Sequence, residues 1–129
     1  MRTIELDGSA FDDLDGFHDE VERKLTKGLD WRPAHNLDAF NDLLYGGFGV
    51  HEPHEPLRLI WRNSARSREV LGWPATEAYW SSKVRTFHPN HRPTAEANLA
   101  AARRREGQTI YELLCEIIRD HKYITLEET

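Results

Sequence analysis

The sequence predicts an α/β fold, a small three-stranded parallel sheet with helices packed on it. Three short apolar runs with strand character, near residues 3–6, 57–61 and 123–126, are separated by segments with helical periodicity. The connections between those runs are long and helical, which suits crossovers between parallel neighbours rather than hairpins. The chain has 129 residues, 39% hydrophobic and 30% charged, the balance of one globular domain spanning 1–129.

The elements follow in order. Thr3-Ile4-Glu5-Leu6 alternates and turns at Asp7-Gly8, a first strand. Asp12 and Asp13 are candidate N-caps for a helix whose apolar positions are Leu14, Phe17, Val21 and Leu25, with Gly28 ending it. A loop around Pro33 leads to Asn36, a good N-cap for a short helix that closes at Gly46-Gly47. The apolar side of that helix is Leu37, Phe40 and Leu44. His51-Glu52-Pro53-His54-Glu55-Pro56 cannot be regular, because each proline removes a donor and restricts the residue before it. Leu57-Arg58-Leu59-Ile60-Trp61 is the most apolar strand and is expected at the centre of the sheet. Asn63 is expected to cap a helix that runs through Leu71 and stops at Gly72. Residues 73–107 read as a helical insert of two helices, the first from about Ala75 to Thr86. Pro93 opens the second, which is expected to reach Glu106 and stop at Gly107. Thr109-Ile110-Tyr111-Glu112 is a capping-box pattern. Ile110, Leu113, Leu114, Ile117 and Ile118 form a broad stripe on the last helix, and Tyr123–Leu126 is the last strand.

Charge is unevenly spread. Residues 1–56 carry −8, residues 57–107 carry +6 and residues 108–129 carry −3. An acidic first half repels nucleic-acid phosphates and favours a basic partner. The opening residues lack the apolar run of a secretory signal, and Cys115 is the sole cysteine, so no intramolecular disulfide forms. These features predict a cytoplasmic protein without a membrane span.

The short second helix is the informative element. Asp38 and Asp42 are four residues apart, so they share one face, flanked by Asn41 and Tyr45. Like charges at this spacing are mildly destabilising, and Asp42 lies toward the end where the helix dipole disfavours an acid. A partner that supplies cations would explain both. Solvated acidic faces are common, and spacing alone favours that plainer reading.

The run Asn36-Leu37-Asp38-Ala39-Phe40-Asn41-Asp42-Leu43-Leu44, followed by Gly46, resembles the inhibitory helix of the barstar family, intracellular inhibitors of barnase-type ribonucleases. By pattern, Ile4–Gly8, Leu14–Leu25, Leu57–Arg62 and Thr109–Thr125 resemble the flanking strands and helices. The resemblance implies a barstar-like three-stranded parallel sheet, with the acidic helix and its preceding loop plugging a nuclease active site. The helix carboxylates would stand where substrate phosphates bind, meeting arginine, lysine and histidine. Asp38 and Asp42 take the places of the family's two helix aspartates, and Glu116 lies near an interface glutamate on the last helix. Asn41 and Gly47 stand where the family has aromatics, and Trp31-Arg32-Pro33-Ala34-His35 replaces a tyrosine-rich loop. Barstar itself lacks the insert of residues 73–107. The implied partner-binding set is Asp38, Asp42, Asn41, Tyr45, Trp31 and Glu116. The implied partner is a basic extracellular-type ribonuclease or nuclease toxin, in an immunity or antitoxin role, with no cofactor and no direct contact to nucleic acid.

The competing reading is a small metal-dependent enzyme or metal-binding protein. His51-x-x-His54 and His88-x-x-His91 could supply four imidazoles if their loops met; solvent-facing loop histidines are the default expectation. Arg62, Arg66, Arg68 and Arg103-Arg104-Arg105 could form a basic patch, but balancing the chain's acids is the simpler role. Cys115, expected to be partly buried, has no base that sequence can assign to it. The four tryptophans, Trp31, Trp61, Trp73 and Trp80, are assigned to packing rather than ligand stacking. No Gly-rich phosphate loop, Gly-x-Ser-x-Gly or His-Glu-x-x-His occurs. Asp38 and Asp42 on an exposed helix lack the pocket that would split their pKa values for acid–base work. The chain is therefore expected not to be an enzyme.

Overall fold

The computed structural model describes residues 1–129. Strand β1 (Arg2–Asp7) is followed by helices α1 (Leu14–Leu25) and α2 (Leu37–Leu44) and by strand β2 (Leu57–Arg62). Helices α3 (Ser64–Val70), α4 (Trp73–Thr86), α5 (Arg92–Arg103) and α6 (Ile110–Arg119) precede strand β3 (Ile124–Glu128). The sheet order is β1-β2-β3 and both pairings are parallel, so the most apolar strand is central as expected. No helix is long and apolar enough to cross a membrane.

The core forms where the helices cover the sheet. Leu6, Leu57, Leu59 and Trp61 from the strands meet Phe17, Val21 and Leu25 of α1, Phe40, Leu43 and Leu44 of α2, and Ile110, Leu114 and Ile118 of α6. Phe17 stacks on Trp61 at 5.2 Å and packs edge-on against Phe40 at 5.2 Å. This aromatic contact fixes α1 and α2 against the central strand. The Trp61 indole N–H donates to Ser67 Oγ at 2.9 Å, so its one polar atom is satisfied.

Local chemistry sets most helix starts. Asp13, not Asp12, caps α1 by accepting from Gly16 N, while Asp12 pairs with Arg66. Asn36 caps α2 by accepting from Ala39 N at 2.7 Å. Thr109 and Glu112 close the capping box on α6.

Several expectations need correction. Helix α1 ends at Leu25, within the expected Leu25–Lys27, but Gly28 is not what closes it: Lys27 N bonds Phe48 O and Thr26 bridges Gly49. Asn63 takes the N-cap place of α3 as expected but makes no side-chain capping bond: it sits at φ 55° and its side-chain amide donates to Asp7 Oδ1 at 3.3 Å. Gly72 begins α4 rather than simply ending α3. Helix α5 stops at Arg103, earlier than expected. Arg105 adopts φ 56°, and Glu106 N and Arg105 N return to Ala101 O and Ala102 O, a Schellman closure without glycine.

Candidate functional site

The acidic surface is built from α1, the loop after it, and α2. On α1, Asp15, Asp19 and Glu22 recur at i, i+4 and i+7, one face of the helix. The loop lies back on that face. Arg32 donates to Glu22 Oε1 and Oε2 at 3.0 and 2.7 Å and reaches Asp19 at 3.4 Å. His35 Nδ1 bonds Asp15 at 2.6 Å, and its Nε2 is 3.4 Å from Asp19. The His35 ring stacks on His18 at 5.3 Å. Arg32 and His35 thus pin the loop that delivers the chain to Asn36. The carboxyls of Asp15 and Glu22 are held below the usual range, by the bonds from His35 and Arg32 respectively.

Helix α2 is different. Phe40, Leu43 and Leu44 anchor it in the core, while Asp38 and Asp42 project into solvent. No guanidinium, ammonium or imidazole of the chain pairs with either, in contrast to the acids of α1. The last turn of α2 has no basic residue. Tyr79 of α4 packs against the core, and its hydroxyl pKa is raised first by burial and second by the Asp38 charge.

The other expected site residues fall into three groups. Tyr45, the C-cap of α2, is 60% exposed and packs edge-on against His121 at 4.5 Å. Trp31 is 51% exposed and touches the edge of Phe48, so its assignment to packing is corrected: it is a surface aromatic near the exit of α2. Trp61 is buried, and Trp73 and Trp80 are half-buried. Asn41 is half-buried, and its Oδ1 accepts from His121 Nε2 at 2.7 Å, which ties α2 to the end of α6. Glu116 is exposed, bonds Gln108 and lines a cleft with Arg68, Arg119 and Glu128.

That second cleft is self-neutralised. Glu128 accepts from Tyr111 Oη, from Arg68 at 2.9 Å and from Arg119 at 2.8 Å. Burial, followed by the bond to Glu128, pushes the Tyr111 phenol well up. Cys115 is 3% exposed, more buried than expected, and burial raises its thiol to about 11, the opposite of an activated nucleophile.

The histidine loops do not come together as the four-imidazole site that the alternative reading would need. His51 is 2% exposed rather than solvent-facing, and its Nε2 donates to Leu44 O at 3.1 Å. His54 instead packs on Tyr123, and the His88 and His91 rings lie 6.4 Å apart on the surface. The group whose donor atoms do converge is Asp19, Glu22 and His35, within 4.8 Å of one another, and Arg32 already supplies its cation. Three of the arginines considered as a basic patch are paired as expected, Arg62 with Glu5, Arg66 with Asp12 and Arg68 with Glu128, whereas in the run Arg103–Arg105 only Arg104 is, with Glu106.

A family model described as Barstar (barnase inhibitor) matches residues 1–117. No curated protein matches the chain.

Proposed function

The chain belongs to the barstar family, and from that premise we propose that it inhibits a basic ribonuclease or nuclease toxin by docking α2 in the enzyme's active site. One observation carries this: Asp38 and Asp42 share a face of α2, lie in solvent and have no cation within the chain. A nuclease site already converges cations on substrate phosphates, and a carboxylate accepts the same bidentate bonds from arginine. The loop pinned by Arg32 and His35 presets the position of Asn36, so less ordering is left to occur on binding.

In this reading Asp38 and Asp42 carry the charge, Tyr45 and Trp31 supply exposed aromatic surface, and Asn41 positions the helix through His121. Glu116 is a further charged contact from α6. The whole chain acts as one domain, with residues 73–107 as an insert. The protein is a cytoplasmic binder in an immunity or antitoxin role and not an enzyme. The dispersal of the histidines weighs against the metal-dependent reading.

The test is capture from an extract of the source organism, with wild type against Asp38→Ala/Asp42→Ala. A basic nuclease retained by wild type alone supports the proposal. A nuclease retained equally by both would remove α2 as the interface.

A further inference from the structure

Where α2 ends, a cleft of about 300 Å³ opens between the 51–56 loop and the end of α6. We propose that this cleft is a socket for an arginine side chain of the protein's partner. The proposal rests on the inhibitor reading, because Tyr45 joins the cleft to the acidic face of α2.

Four observations point to a guanidinium. First, aromatic surface is concentrated here. Tyr45 and Tyr123 both line the cleft, and they are two of the four large hydrophobic side chains that the fold leaves exposed. Planar guanidinium groups stack on such rings. Second, Tyr123 already attracts a cation, since Lys122 Nζ lies over its ring at 5.1 Å.

Third, the cleft stays net negative even with Lys122 in its lining. Glu55 is engaged, accepting from Arg2 Nε at 3.0 Å and from Glu52 N at 2.9 Å. Glu52 and Asp120 line the same cleft as exposed carboxylates without an ion pair. Fourth, His51, which lines the cleft, has a buried ring nitrogen without a partner. Leu44 O can only accept, so Nε2 carries the proton. In the neutral ring Nδ1 is then a lone pair, and it is buried without a partner. A guanidinium has five donors in a fixed fork and can stack on the rings while it bonds a carboxylate. An anion would meet Glu52 and Asp120, and a purely apolar side chain would leave those carboxylates unanswered.

The test is an NMR titration of the labelled full chain with Nα-acetyl-arginine amide, with the neutral isostere Nα-acetyl-citrulline amide, and with inorganic phosphate. The expected result is saturable shifts at His51, His121, Tyr45 and Tyr123 with the arginine derivative. Citrulline should bind at least about five-fold more weakly, because it lacks the charge and the cation–ring attraction. Glu52→Gln, an exposed change, should weaken the arginine shifts while resonances of β1 and α1 stay in place. Asp38→Ala/Asp42→Ala should keep the saturable shifts at His51, His121 and Tyr123 while removing any arginine response of α2 itself. Absence of saturable shifts with arginine, equal shifts with citrulline, or preferential response to phosphate would overturn the socket. Because the readout at His51, His121 and Tyr123 does not depend on Asp38 or Asp42, that failure would leave the inhibitor reading to stand or fall on its own capture experiment.

Discussion

If Asp42 serves a partner rather than the fold, replacing it should stabilise the free protein. Consider Asp42→Lys. Asp38 and Asp42 lie at i and i+4, so the change removes a repulsion of about 0.2–0.5 kcal/mol and adds an attraction of similar size. Asp42 is in the last turn of α2, where an acid opposes the helix dipole and a base suits it, a further contribution of roughly 0.3–1 kcal/mol. Lysine also has the better helix propensity, by a few tenths of a kcal/mol. These effects are screened by solvent at an exposed site, so the net gain should be about 1 kcal/mol. In a domain of this size that raises Tm by roughly 3–5 °C. Urea unfolding followed through buried Trp61 measures the gain directly. An unchanged or lower midpoint would show that Asp42 supports the fold, and the argument from mismatched charge would fail.

Three other predictions come from the site's surroundings. Burial first, and the neighbouring His35 charge second, push the pKa of His18 down to about 4. The unfolded chain therefore takes up the proton first, and the stability that neutral His18 contributes is complete above about pH 6.5 and lost as pH falls toward 4. His18→Gln should show a smaller loss of urea midpoint between pH 7 and pH 5 than wild type; equal losses would contradict this. At Gly46 the backbone has φ 88°, and an added Cβ would meet Glu52 backbone atoms at 2.8 Å, so Gly46→Ala should cost about 1–3 kcal/mol and disturb the exit of α2. A two-state unfolding curve superimposable on wild type would refute that. Cys115, with its thiol raised to about 11, should resist alkylation at pH 8 in the folded protein and react once unfolded. Rapid native alkylation would show that the thiol is more open than the packing implies.

What the sequence reveals here is what depends on near neighbours. Asn36, Thr109 and Glu112 identify helix starts because a cap and its target are three residues apart. Phe40 and Leu44 identify the buried side of α2 because helical periodicity fixes which face they share with Leu37. The parallel strand order follows from the long helical connections. Features set by distant partners are not legible. Glu20 is 2% exposed because its carboxylate accepts from Asp7 N, thirteen residues away, and pairs with Arg23. Nothing in the His-Glu-Pro-His-Glu-Pro run signals that His51 turns inward to Leu44 O while His54 stays out. The bond from His121 to Asn41 spans eighty residues, and it changes the reading of Asn41 from a contact to a brace. The early stop of α5 was hidden because an arginine takes the left-handed position usually given to glycine.

The most direct measurement is inhibition of the captured nuclease, titrated with wild type and with Asp38→Ala/Asp42→Ala, in the presence and absence of a mononucleotide that occupies the active site. Truncating one member of a desolvated interface charge pair costs about 2–5 kcal/mol, a range for which barnase–barstar is itself a reference system. That corresponds to roughly 30- to 4,000-fold in Kd. The account predicts stoichiometric inhibition by wild type, competition by the nucleotide, and loss of at least the lower figure in the double variant. Binding that leaves turnover intact, or inhibition that the nucleotide does not weaken, would contradict the claim that the acidic helix occupies the phosphate site.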